Sequence, residues 1–220
     1  MPSPSSEIFT LDPYRVLIFD FDGVIKESVA VKTEAFATLF AHFGSRVQEQ
    51  VIAHHTANGG MPRFDKIRLY FREFIGRELT ETDFASQCER FGRLCRQAVV
   101  DSAWVPGVQD FLETRSQRFH CFIASGTPED ELTWIVDQIG IGKWFRGVYG
   151  SPRHKPEILR TVLRKHDYAP GRCLMIGDAL ADHQAAAETG CGFLLRQTPG
   201  NFPLFEAIDC PRIKDFREMP

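Results

Sequence analysis

Asp20 and Asp22 stand on alternate positions at the end of the apolar run VLIF, and Asp178 and Asp182 follow a second apolar run, CLMI, within GDALAD. A third run, FHCFIA, ends in Ser125, Gly126, Thr127 and Pro128, and Lys155 precedes Pro156 in SPRHKPEIL. Two carboxylates about 4 Å apart repel by roughly 4 kcal/mol at an effective dielectric of ~20. Asp20, Asp22 and Asp178 gathered at one edge therefore call for a divalent cation with oxygen ligands. Magnesium is the natural candidate, because it takes few protein carboxylates and leaves positions open for water and phosphate oxygens. Ser125, the Gly126 amide and the start of the next helix form a corner for an anion, with Thr127 as N-cap and Pro128 as first helical residue. Lys155, held extended by the proline after it, adds one positive charge. A cation, an anion cradle, a lysine and a free carboxylate together describe phosphoryl transfer to an aspartate.

These residues must be carried by strand ends. RVLIF is a β-branched and aromatic run of the kind buried on both faces of a parallel sheet. Similar runs recur at Phe119 to Ala124, Gly147 to Tyr149, Cys173 to Ile176 and Gly192 to Leu195, with helical patterns between them at about Pro128 to Ile139, Pro156 to His166 and Asp182 to Thr189. That alternation predicts βαβ units, hence an α/β fold: a Rossmann-like parallel sheet core with helices on both faces. Ligands of such sheets collect at the carboxyl ends of the strands. Alternate positions on a regular strand face opposite sides, so the strand must break at or just after Asp20 if both aspartates serve one site.

Between about Ser28 and Ala103 no strand pattern occurs. Val31, Ala35, Phe36, Leu39, Phe40 and Phe43 recur at helical spacing before Gly44, and Phe64, Ile67, Tyr70, Phe71 and Phe74 do so before Gly76. Thr80 and Glu81 open a third helix through Phe84, Cys88, Phe91 and Cys95. The interval reads as an all-helical cap inserted after the first strand, with Trp104 to Val108 as the return. This divides the chain into a core of residues 1–27 and 104–220 and a cap domain of residues 28–103, with the phenylalanines as cap core.

The motifs DFDGV (Asp20 to Val24), SGT (Ser125 to Thr127), Lys155 in HKPE and GDALAD (Gly177 to Asp182) resemble the four signature motifs of the haloacid dehalogenase-like superfamily, in order, over about Arg15 to Leu195. The helical insertion resembles the cap of its phosphoglycolate phosphatase and beta-phosphoglucomutase branch. The resemblance implies that Asp20 is the nucleophile that becomes an aspartyl-phosphate and Asp22 the general acid/base, whose backbone carbonyl also binds magnesium. It implies that Ser125, Gly126 and Lys155 bind phosphate, that Asp178 completes the metal ligands Asp20 and Asp22, and that Asp182 acts from the outer side of the metal shell. In the cap, Gly60, Met61, Pro62 and Arg63 stand where relatives carry a G-x-S-R type loop, so Arg63 is the candidate for reading the leaving group. Glu27 stands where many relatives have aspartate, and Ala179 where many have serine.

The bulk properties narrow the rest. With 220 residues and 43% hydrophobic content the chain can bury a sizeable core. A formal charge of −3 without basic runs argues against a nucleic-acid partner. Six cysteines without a C-x-x-C pair read as reduced thiols rather than a zinc site. The N-terminus lacks the pattern of a secretory signal, no apolar run reaches the ~18 residues that span a bilayer, and the Ser/Pro-rich first six residues read as mobile. The expectation is a cytoplasmic, magnesium-dependent phosphatase of a small phosphorylated metabolite, monomeric or homodimeric, with no membrane or nucleic-acid partner. A sugar-phosphate phosphomutase uses the same Asp20 and Asp22 and is the alternative. A non-catalytic interaction module of the same fold is remoter, because all four motifs are complete. His54, His55 and His154 read as surface or packing residues.

Overall fold

A computed structural model describes residues 9–220, so the reading of the first six residues lies outside the described residues. Six parallel strands form one sheet: β1 (Val16–Phe19), β2 (His120–Pro128), β3 (Gly147–Ser151), β4 (Cys173–Gly177), β5 (Gly192–Arg196) and β6 (Arg212–Ile213), in the spatial order β3-β2-β1-β4-β5-β6. β1 lies between β2 and β4, where the strand order reverses. The crevice of a doubly wound sheet opens at that point.

Every residue of β1 is fully buried. Leu17 and Phe19 pack on one face with Ile123, Leu174 and Ile176, under α5 (Val108–Arg115) and α6 (Glu129–Gln138). Val16 and Ile18 pack on the other with Phe122 and Met175, under α7 (Lys155–Lys165) and α8 (Leu180–Thr189). Burial on both faces is what the unbroken apolar runs demand. The strand breaks where expected: β1 ends at Phe19, and Asp20 makes a last ladder bond from its N–H to the Ile176 carbonyl at 2.9 Å.

Between β1 and α5 the chain forms α1 (Val29–Phe40), α2 (Ser45–Ala57), α3 (Arg63–Leu69) and α4 (Glu81–Asp101). α3 runs on through a wider helical turn, Tyr70–Ile75, and stops at the left-handed Gly76. Thr80 caps α4 by accepting the Asp83 N–H at 3.1 Å. The aromatic side chains of these helices, led by Phe36, Phe40, Tyr70, Phe71 and Phe91, join the same apolar cluster as the sheet face beneath α5 and α6. The segments entering and leaving the helices lie side by side: Glu27 N–H donates to the Ala103 carbonyl at 2.8 Å and Val105 N–H to the Ile25 carbonyl at 3.1 Å.

Four local expectations are corrected. Lys155 is not extended but opens α7 as its first helical residue, because Pro156 is tolerated within the first turn of a helix. α6 begins at Glu129, after Pro128, and no side chain caps it. Thr127 is instead the penultimate residue of β2, because the chain stays extended through SGTP and carries its hydroxyl toward the sheet edge. α8 starts at Leu180, two residues earlier than its apolar pattern suggests, because the Asp182 carboxylate accepts the Ala179 N–H at 3.1 Å and secures the first turn. α2, α5, the short α9 (Phe202–Phe205) and the two-residue β6 complete the elements. Among the described residues no helix is long and apolar enough to cross a membrane.

Candidate active site

The ends of β1, β2 and β4 and the start of α7 deliver their polar side chains to one crevice beneath the helical layer. Asp20 is buried. One of its carboxylate oxygens accepts the Phe21 N–H at 2.7 Å, and the other meets Lys155 Nζ at 2.9 Å. The Lys155 ammonium also donates to Asp182 at 2.5 Å. Asp20, Asp178 and Asp182 each offer an oxygen within 4.8 Å of the others. Set against Lys155, those three carboxylates leave two uncompensated negative charges, the charge of one divalent ion. This donor set is all carboxylate oxygen and sits beside an open cavity, so the residues fit a hard, oxygen-seeking cation.

Electrostatics agrees with the geometry. Burial pushes the Asp20 carboxyl up to about 7, with Lys155 opposing the shift and the neighbouring carboxylates reinforcing it. Burial, then Asp20 and Asp182, hold Asp178 well above the ordinary carboxylate range. Lys155 goes the other way: burial opposes its charge, yet Asp182 and Asp20 together keep it above the usual lysine value. A cluster that resists its own ionisation in this way is a site at which a cation relieves strain.

Asp22 has a different environment two residues later. Its carboxylate accepts the Ser28 hydroxyl at 2.6 Å, pairs with Lys32 of α1 and lies 3.4 Å from the Thr127 hydroxyl. Burial alone would raise it, but the charge and hydrogen bond of Lys32, with the Ser28 hydroxyl, hold it below the ordinary range. Lys32 also donates to Thr127 at 2.6 Å, tying α1 to the end of β2. Gly23 permits the turn between the two aspartates: its φ is +78°, and a Cβ there would fall 2.2 Å from the Asp178 carboxylate. The loop carrying Asp178 is held by Asn201, whose side-chain amide donates to the Asp178 carbonyl at 2.8 Å and the Arg196 carbonyl at 2.9 Å.

Ser125 is buried, and its hydroxyl oxygen accepts the Thr127 N–H at 3.2 Å. Gly126 lines the cavity and touches the loop between α2 and α3: a Cβ at Gly126 would sit 2.7 Å from the Gly60 carbonyl oxygen. The helical layer therefore rests directly on the sheet edge. The cavity measures about 520 Å³ and is walled by Asp20, Asp22, Asp178, Gly126 and Thr127 below, and by Phe36, His55, Met61, Arg63, Lys66 and Phe91 above.

Arg63 reaches this wall, but its guanidinium makes a bidentate pair with Glu131 of α6. Of the histidines, His55 lies on the wall, His54 bonds the Tyr70 hydroxyl at 3.1 Å, and His154 is exposed, 3.6 Å from Asp65. Glu27 pairs with Arg196 at the cavity rim. Sequence patterns missed Lys32, Lys66, Glu131 and Asn201, which no motif marks. Thr127 was the exception, since its hydroxyl was legible in SGT but assigned to a helix cap.

Comparison with known proteins adds the lineage of this site. A family model described as haloacid dehalogenase-like hydrolase matches residues 14–190. The phosphoglycolate phosphatase of Vibrio parahaemolyticus is 27% identical over 190 residues, covering 83% of this chain and 83% of the relative. That of Pseudomonas savastanoi pv. phaseolicola is 24% identical over 214 residues, covering 93% and 78%. Among solved structures, a predicted phosphoglycolate phosphatase from Haemophilus somnus superposes with a TM-score of 0.71 at 20% identity, covering 93% of this chain and 95% of that one. The beta-phosphoglucomutase of Clostridium difficile does so with a TM-score of 0.73 at 16% identity, covering 94% and 93%.

Proposed function

The chain belongs to the haloacid dehalogenase-like hydrolases, and we propose that it is a magnesium-dependent phosphatase acting on a small phosphorylated metabolite through an aspartyl-phosphate on Asp20. The observation that carries this reading is the pair of contrasting aspartates at the end of β1. Asp20 has one oxygen fixed by Lys155 and one by its neighbour's N–H, beside two further carboxylates. Asp22 is held as a carboxylate on the opposite side of the strand break.

In the first half-reaction an Asp20 oxygen attacks phosphorus, and the bond from phosphorus to the leaving oxygen breaks. The incoming phosphate dianion competes with Asp22 for Lys32, and its charge raises the proton affinity of Asp22, which takes up a proton from solvent as substrate binds and delivers it to the leaving oxygen. In the second half water attacks phosphorus, gives its proton back to Asp22 and releases phosphate, restoring Asp20. Ser125, the Gly126 N–H and Lys155 hold the phosphoryl oxygens, and Lys155 keeps its charge throughout. Asp20, Asp178 and the backbone carbonyl of Asp22 would hold magnesium, with Asp182 orienting Lys155 and the Ala179 turn from outside the metal shell. When bound, the ion neutralises charge on the transferring phosphoryl group.

Residues 28–103 act in this reading as a cap domain over a core of residues 1–27 and 104–220. The two adjacent crossings, Ile25 to Glu27 and Ala103 to Val105, support a hinge whose opening admits substrate. The relatives' names motivate testing 2-phosphoglycolate first. The decisive experiment is phosphate release from p-nitrophenyl phosphate and a panel of phosphorylated metabolites, with and without magnesium, for the wild type and Asp20→Asn. The expected outcome is magnesium-dependent release that Asp20→Asn abolishes. Near wild-type release by that variant overturns the mechanism, and isomer formation from hexose 1-phosphates without phosphate release makes the enzyme a mutase.

A further inference from the structure

Every cation on the cavity wall but one is neutralised by a carboxylate. Lys32 is paired with Asp22, Arg63 with Glu131 and Arg196 with Glu27, while behind them Lys155 lies between Asp20 and Asp182. Lys66 of α3 is the exception among the described residues. It is only 2% exposed, its ammonium contacts His55 Nδ1 at 2.9 Å and the His55 carbonyl at 3.5 Å, and no carboxylate forms an ion pair with it. A buried ammonium whose hydrogen-bond partners are only a neutral imidazole and a carbonyl is expensive, and a fold keeps such a group where a ligand completes it.

The surroundings say what the ligand must be. Burial, then Lys32, lowers Lys66 to about 7 against the opposing charge of Asp22, with which it forms no ion pair, and burial with Lys66 and Lys32 lowers His55 to about 3, so the imidazole stays neutral and accepts from the ammonium. Phe36 and Phe91 wall the same cavity, and Lys66 Nζ lies 5.9 Å from the Phe36 ring centroid. At the sheet edge the cavity is walled by Asp20, Gly126 and Thr127, where the phosphoryl group is placed, so Lys66 in the helical layer faces what remains of the substrate.

We propose that Lys66, oriented by His55, is a second anion subsite that selects phosphate monoesters whose leaving group carries its own negative terminus, a carboxylate or a second phosphate. This rests on the phosphatase reading only in taking the transferred phosphoryl group to lie at Asp20. Lys66 is thus a specificity-determining residue, acting on binding and not on bond cleavage. Arg63, tied to Glu131, supplies no comparable charge to the cavity.

The test compares four substrates: 2-phosphoglycolate with a carboxylate terminus, fructose 1,6-bisphosphate with a second phosphate, and glucose 6-phosphate and p-nitrophenyl phosphate with neither. Lys66→Met is expected to lower kcat/KM at least tenfold, through KM, on whichever anionic-terminus substrate the wild type prefers. On the two neutral-terminus substrates it should lose less than threefold, and Lys66→Arg should recover part of the loss. The thermal midpoint of Lys66→Met should be no lower than wild type, since an unpaired buried charge is replaced by an apolar chain of similar length. Equal losses on all four substrates, or a wild type indifferent to the terminus, overturn the subsite. Calorimetric binding of the same compounds to Asp20→Asn, with and without Lys66→Met, keeps the test independent of turnover. A wild type that releases no phosphate from any compound overturns the phosphatase reading, while the binding comparison still decides the role of Lys66.

Discussion

Arg63 of α3 and Glu131 of α6 face each other in a bidentate ion pair whose side chains are 5% and 7% exposed, joining the helical layer to the sheet layer beside the cavity. Such a pair is worth little against an apolar replacement, yet breaking it from one side strands the other charge in a place water cannot reach. Glu131→Gln should therefore cost about 3–5 kcal/mol in denaturant unfolding, whereas the double variant Arg63→Met/Glu131→Leu should fall much closer to wild type. Loss of stability in the double variant equal to that of the single one would show that packing, not the stranded charge, sets the cost.

Magnesium affinity should depend on pH in a direction fixed by Asp20 and Asp178. Burial pushes Asp20 up to about 7 and holds Asp178 well above its ordinary value, so below neutrality protons occupy the oxygens that the cation needs. Affinity measured calorimetrically between pH 5.5 and 8.5 should fall as pH drops through about 7, by about tenfold per pH unit for one competing proton and more steeply if both carboxyls compete. The stability linkage has the matching sign. The folded Asp20 binds its proton more tightly than a free carboxyl, whose ordinary value is 3.8. The metal-free protein therefore loses stability from this group as pH rises from about 4 to 7, and magnesium should raise the thermal midpoint more at pH 8 than at pH 5.5.

What the sequence made legible was whatever strands carry. Runs such as VLIF and CLMI have no polar face, so they must be buried parallel strands, and the residues that end them must meet at one edge. Asp20, Ser125, Lys155 and Asp178 meet there as expected. The helical contributions were hidden for a physical reason: a helix residue reaches the site only if the packing of the whole layer turns it there. Lys32, Lys66 and Glu131 are charged helix residues that no motif marks, and only the packed structure shows Lys32 and Lys66 on the cavity wall beside Phe36 and Phe91 and Glu131 against Arg63. α2 escaped because its only buried residues are Val51 and His55, too few to leave a periodic pattern. Arg63 was traced to the right wall of the cavity, but no sequence pattern could reveal that Glu131, 68 residues later, would claim its charge.

Gly126 should be intolerant of even one added carbon. A Cβ there would lie 2.7 Å from the Gly60 carbonyl oxygen, a backbone atom, and the Cβ position is itself fixed by the Gly126 backbone, so no side chain can swing away to make room. Gly126→Ala is expected to push the loop between α2 and α3 off the sheet edge, with an overpacking cost of about 1–3 kcal/mol. Because that loop roofs the phosphate corner, KM should rise together with the stability loss. A variant with wild-type KM and an unchanged unfolding midpoint would mean that the loop does not rest on Gly126 in solution.

Lys32 links the helical layer to the chemistry through Asp22 and Thr127, so its removal should be read most clearly in a pH profile. In the wild type burial pushes the Asp22 carboxyl up, but the Lys32 charge and hydrogen bond, with the Ser28 hydroxyl and Lys155, together outweigh it and keep Asp22 low, leaving it ionised across the neutral range. Lys32→Met deletes that charge while burial remains, so the Asp22 value must move up. Asp22 is the base that takes a proton from water in the second half-reaction, and the acidic limb of kcat reports its ionisation when that step limits the rate. The limb should move to higher pH in Lys32→Met, with activity recovering as pH is raised. In Asp22→Asn activity should not recover at any pH, because no carboxylate is left to ionise. If Lys32→Met instead lowers kcat equally at every pH, Lys32 serves to hold α1 against β2 and does not set the proton affinity of Asp22.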